Sequence, residues 1–120
     1  MENNPVLEKS KAFAIRVIRL YKYLCETESE YVLSKQLLRS GTSIGANVRE
    51  ANRAQSKADF VSKMNIALKE ADETAYWLEL LNETDYIDDT QFSSMYSDCE
   101  ELVRLLNAIV SSTRRTFSNS

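Results

Sequence analysis

Apolar residues recur in steps of three and four through four stretches of this chain, separated by short polar links. Such spacing puts them on one face of a helix. The first helix is predicted over about 7–26, where Phe13, Ala14, Val17, Tyr21 and Leu24 form a stripe that Ile18 and Leu20 widen. A second helix is predicted over about 30–53, with Leu33, Leu37, Gly41, Ile44, Val48 and Ala51 on one face and Ser29 as its cap. Gln36, Arg39, Ser43, Asn47 and Glu50 share a neighbouring face. Ser56, followed by Asp59, starts a third helix over about 57–82 as a variant capping box. Its main stripe is Phe60, Met64, Ala67, Leu68, Ala71, Ala75 and Leu78, and a second patch joins Lys63, Ile66, Glu70, Trp77 and Leu81. The fourth helix, over about 90–116 with Asp88 or Asp89 as cap, carries two rows. One is Met95, Cys99, Leu102, Leu106, Ile109 and Thr113; the other is Tyr96, Val103, Val110 and Phe117.

Links of three to seven residues make consecutive helices antiparallel neighbours. The expected architecture is all-α, one up-down-up-down antiparallel four-helix bundle over 1–120, with frayed ends at 1–6 and 118–120. Composition agrees. The single Pro is Pro5, and the two glycines, Gly41 and Gly45, both fall within the second helix. Each costs a helix interior about 1 kcal/mol relative to Ala. The apolar phase runs through SGTSIG unbroken and no GxxxxGK pattern is present, so the segment reads as helix built for close contact rather than as a phosphate loop.

Charge is segregated. Residues 1–69 carry a net +5, residues 70–103 hold eleven acids and no Lys or Arg, and residues 104–120 carry three Arg. Helices with opposite-signed faces lying side by side, or facing each other between subunits, account for this. Our expectation is that acids of 70–103 meet bases of an adjacent subunit. The surface candidates for self-association are Ile66, Trp77, Leu81, Tyr96, Val103 and Val110; Trp77 alone fits the edge of its own core equally well. Glu100 and Arg104 are spaced as an i,i+4 pair. Lys9, Lys11, Arg16, Arg19 and Lys22, with Arg49 and Arg53, form the candidate nucleic-acid surface, against an acidic total of −3.

Enzyme chemistry finds little material. The chain has no His, which removes the usual general base and the usual nitrogen ligand of zinc or iron. A di-iron bundle takes Glu-x-x-His, whereas here the spacing holds Glu70-x-x-Glu73. No catalytic residue, metal or cofactor is expected. Arg39, Ser43, Asn47, Glu50, Glu70 and Glu73 are expected instead to form a structural polar seam. Cys25 and Cys99 fit no metal spacing and read as packed small side chains. No apolar run reaches bilayer length, so a cytoplasmic protein without membrane contact is expected.

The two middle helices carry a resemblance. QLLRSGTSIGANVREA, followed by DFVSKMNIALKEADETAYWLELL, resembles the four-helix-bundle proteins encoded in intervening sequences of bacterial 23S ribosomal RNA genes, also labelled ribosomal-protein-like. Arg39, Ser43, Asn47, Glu50, Phe60, Glu70, Glu73, Thr74 and Trp77 are the matching positions. The outer helices agree only in length, heptad character and the pair Glu101-Leu102. The resemblance implies an up-down bundle, assembly into a homopentamer and no established enzymatic activity. A related branch, the accessory variability proteins of retroelements, binds nucleic acid and reverse transcriptase through a basic barrel. This chain departs from that branch in its pI near 5.0.

Overall fold

The computed structural model describes residues 4–119, with side chains described as far as 115. The helices are α1 (Pro5–Glu26), α2 (Leu33–Ala51), α3 (Lys57–Glu83) and α4 (Asp89–Asn119). Each packs on its chain neighbours, and α1 closes the bundle more thinly against α4. The four-helix bundle is therefore as expected, 52 Å long and 24 by 21 Å across.

Local chemistry sets the ends. Asn4 caps α1 by accepting the N–H of Leu7 at 3.2 Å, and Pro5 sits in the first turn, where its missing N–H costs nothing. This starts the helix two residues before the expected Leu7 and buries Val6, a position expected to fray. Residues 1–3 and Ser120, also expected to fray, lie outside the described residues, as does the side chain of Phe117. α4 runs on to Asn119, past the expected end at Thr116.

The start of α2 differs from expectation and shows why. Ser29 is not the cap; it sits at φ 53° in the connecting turn. Glu30 takes the role from within the turn, and α2 begins only at Leu33. Its buried carboxylate accepts backbone N–H groups from Val32 at 3.2 Å, Leu33 at 3.0 Å and Ser34 at 2.7 Å. Burial by itself would push this carboxyl up, but the N–H donors and the Ser34 hydroxyl hold it below the ordinary range. At the other end α2 stops at Ala51, two residues short of Arg53.

The remaining caps follow the sequence. Ser56 Oγ accepts from Asp59 N at 3.1 Å, while Asp59 reaches back to Gln55 N at 3.4 Å. Asp88 and Gln91 bond each other's backbone N–H at 2.7 and 2.9 Å, a reciprocal capping box at the head of α4. α3 ends with Asp85 at φ 69°, and Tyr86 N returns to Leu81 O at 2.9 Å, the Schellman pattern.

The core is one cluster fed by all four helices. In α1 it centres on Phe13, Val17, Leu20 and Leu24, while Ala14 and Tyr21 are half-buried and Ile18 is exposed. Leu33 in α2, Phe60 and Leu68 in α3, and Ile109 in α4 likewise sit at the core's edge. Val61, Thr74 and Leu81 take the inner positions of α3. Cys99 is fully buried and donates to Ala71 O at 3.2 Å; burial, aided by the charges of Glu100 and Asp72, pushes its thiol up to about 12. Both cysteines are free, and Cys25 is half-buried near Ser34.

The glycines mark where α1 meets α2 closely. A Cβ on Gly41 would stand 2.7 and 2.8 Å from the two Val17 methyls, and one on Gly45 would stand 3.4 Å from the backbone of Ser10. The close contact expected at SGTSIG is thus made by α1.

Candidate functional site

Arg39, near the middle of α2, lies across the groove to α3 and joins two of its carboxylates. One guanidinium nitrogen is 3.2 Å from Glu70 Oε2, and the other is bonded to Glu73. The spacing of Glu70 and Glu73 puts both on the α2 side of α3, one turn apart. Trp77, one turn further, donates its indole N–H to Glu73 at 3.2 Å, and its ring sits 5.2 Å from that of Tyr76. The Arg39 hydrogen bond holds the Glu73 carboxyl below its usual range, and the same bond raises Arg39. Glu50 continues the line toward the far end, pairing with Lys63 at 3.1 Å.

Ser43 and Asn47 do not join across the groove. Ser43 donates to Arg39 O at 2.7 Å and Asn47 to Ser43 O at 2.8 Å, both within α2. The polar bond that does cross beneath the seam is one the residue pattern gave no sign of. Thr74 Oγ1 donates to Glu70 O at 2.7 Å and lies 2.8 Å from Ser40 Oγ, whose own hydroxyl proton can complete the bond across the groove, with both residues fully buried.

Chemically the seam is a set of satisfied ion pairs. Both carboxylates accept from the same cation, and the bond from Arg39 keeps Glu73 in its charged form. Among the described residues no group of three or more His, Cys, Asp or Glu is placed to hold a metal. Arg39 is about half exposed, which limits these pairs to roughly 0–1 kcal/mol each.

The surface candidates separate into two sets. Leu81 and Val110 are buried in the chain's own core, because both fall on the inward phase of their helices, and this removes them as interface residues. Ile66 is exposed, and Trp77, Tyr96 and Val103 are half-buried. Tyr96 donates to Glu79 at 3.0 Å across the α3/α4 groove; that bond, with burial, lifts the phenol to about 12.

The basic candidates also divide. Lys9 pairs with Glu101 at 2.8 Å, and Arg16 binds Asp98 and Ser94, so both are committed to α4. Lys11, Arg19, Lys22, Arg49 and Arg53 are exposed and make no ion pair among the described residues. The expected Glu100–Arg104 pair does not form; Arg104 is exposed. Four acids of 70–103, namely Glu70, Glu73, Asp98 and Glu101, find basic partners inside the chain, which the segregation of charge did not distinguish from partners in a neighbour.

The seam on α2 and α3 is built from the same positions that carried the resemblance, and comparison with known proteins extends it to nearly the whole chain. The model of the 23S rRNA-intervening sequence protein family matches residues 2–108. A solved structure from Bacteroides thetaiotaomicron, described as a protein of unknown function from the S23 ribosomal protein family, is 57% identical and covers 88% of this chain and 97% of its own. The two superpose with a TM-score of 0.87. No curated protein matches. On the family match and the shared bundle, the chain belongs to the 23S rRNA-intervening sequence protein family.

Proposed function

We propose that this chain is a non-enzymatic scaffold that works as a homo-oligomer. The observation that carries the reading is where large apolar side chains remain outside the filled core. Ile15, Ile18, Ile66 and Tyr76 are all exposed, two on α1 and two on α3, with Trp77 beside Tyr76. A single exposed apolar residue is ordinary; pairs of them on two helices, with Trp77 beside one, suit burial by another surface. The family resemblance points to five copies. Light scattering in line with size exclusion is expected to give several times 13.7 kDa, five times for a pentamer. A monomer at that mass overturns the reading.

A second reading, binding of RNA or single-stranded DNA, draws on Lys11, Arg19, Lys22, Arg49 and Arg53, which have no ion pair among the described residues. It expects a gel shift at low salt that fades steeply as salt rises, because each phosphate contact releases counterions. No shift removes it.

A further inference from the structure

Each helix of the bundle touches two neighbours and none touches its diagonal partner, so the α1/α2 side and the α3/α4 side face opposite ways. They differ in charge and in relief. On the α1/α2 side runs a groove of about 360 Å³ with Leu7, Ala14, Gly45 and Ala46 in its lining. It is open because Gly45 has no side chain and Ala14 and Ala46 have short ones. Lys11 and Arg49 stand over it, with Glu8 the one acid in the lining. Helical repeats from these positions add Ile18 and Lys22 on α1, and Lys35 on α2. None of these four bases has an ion pair among the described residues.

The α3/α4 side is the reverse. Glu79 and Tyr96 bond across that groove and fix which residues share it. Steps of three, four and seven from them bring Asp72 and Glu83 on α3, and Glu100 and Val103 on α4. These four acids have no ion pair among the described residues, and Tyr96 and Val103 supply half-buried apolar surface between them.

We infer that the α1/α2 side of one chain receives the α3/α4 side of a second copy, joining subunits front to back. The inference rests on the self-assembly proposed above and specifies its interface. Neither side suits itself: two basic faces or two acidic faces would repel, which disfavours a two-fold dimer through either. A front-to-back contact is heterologous, and it closes into a ring when the rotation per subunit allows. The area suffices. Each side is 52 Å long and over 20 Å wide, against roughly 800 Å² per partner in a stable interface.

The test uses two double variants. Lys11→Glu with Arg49→Glu spoils the basic side alone; Asp72→Lys with Glu100→Lys spoils the acidic side alone. Circular dichroism checks that both stay helical, and Glu83→Lys replaces Glu100→Lys if the latter unfolds. Each is expected to lose assembly and run as a monomer in light scattering. Mixed one to one, they pair an untouched basic side with an untouched acidic side, and the two reversed sides also carry opposite charges, so the mixture is expected to assemble beyond a single chain. Assembly of either variant alone at the parent mass, or a mixture that stays monomeric, overturns the pairing while leaving self-assembly standing. A monomeric parent protein removes self-assembly itself, and the pairing with it.

Discussion

Gly41→Ala is expected to destabilise the fold by about 1–3 kcal/mol, the range for overpacking a filled core. Helix propensity pulls the other way, since Ala outranks Gly by about 1 kcal/mol. Sterics decide the sign. The added methyl would meet both Val17 methyls below 3 Å and Val17 Cβ at 3.2 Å. Val17 is fully buried and β-branched, so its χ1 has one comfortable setting in a helix and nowhere to turn. α1 must therefore move off α2. Gly45→Ala is the internal control: its methyl would reach Ser10 only at 3.4 Å, an ordinary contact, and the change should be neutral to about 1 kcal/mol stabilising. Val17→Ala alone should cost roughly 1.5–3 kcal/mol through lost burial. Combined with Gly41→Ala, the two methyls lost from α1 make room for the one gained on α2, so the pair should cost less than the sum by about 1–2 kcal/mol. Urea denaturation of the four proteins measures this. An additive cycle, or a Gly41→Ala variant as stable as its parent, would sink the close-contact account.

The close approach at Gly41 was legible because two glycines in one helix, in a chain with no others, violate propensity without an evident local reason. Helix number and type were legible from the apolar spacing. What escaped were features that depend on a neighbour. The apolar residues of α1 cover an arc wider than one core face, and only the positions of α2 and α4 decide that Leu20 is inside and Ile18 outside. Ser10, Ser34, Ser40 and Thr74 read as polar, yet all are fully buried. Ser10, Ser34 and Thr74 find an acceptor within a turn of their own helix or in the link before it, and Ser40 finds Thr74 across the groove, which lets all four enter the core satisfied. The seam residues were singled out correctly as a group but not in their bonding. Arg39 is long enough to cross to α3, whereas Ser43 and Asn47 are short and find a carbonyl on α2 first. Likewise the bases of α1 were read as a surface, because nothing local says that Lys9 and Arg16 have Glu101 and Asp98 opposite them some ninety and eighty residues on.

Glu30→Gln is expected to cost about 1–2 kcal/mol at neutral pH, within the range for losing a charged cap. The carboxylate gathers three N–H groups at the start of α2, of which that of Ser34 is buried and would otherwise have no partner. The amide keeps one acceptor oxygen and brings an NH₂ that faces donors, so at least one contact becomes repulsive. The pH dependence separates this account from a simple packing change. Folding lowers the Glu30 pKa, so the folded state holds its proton less tightly than the unfolded one. Its contribution is therefore complete above the unfolded glutamate value of about 4.3 and is lost as pH falls through the lower folded value. The parent protein should exceed the Gln variant in stability by a constant margin from neutrality down to about pH 5, and the margin should then shrink in more acid solution. Denaturant midpoints across that range give the comparison. Curves that stay parallel into acid would show that Glu30 is not held as a carboxylate by the start of α2, and the late beginning of that helix at Leu33 would need another cause.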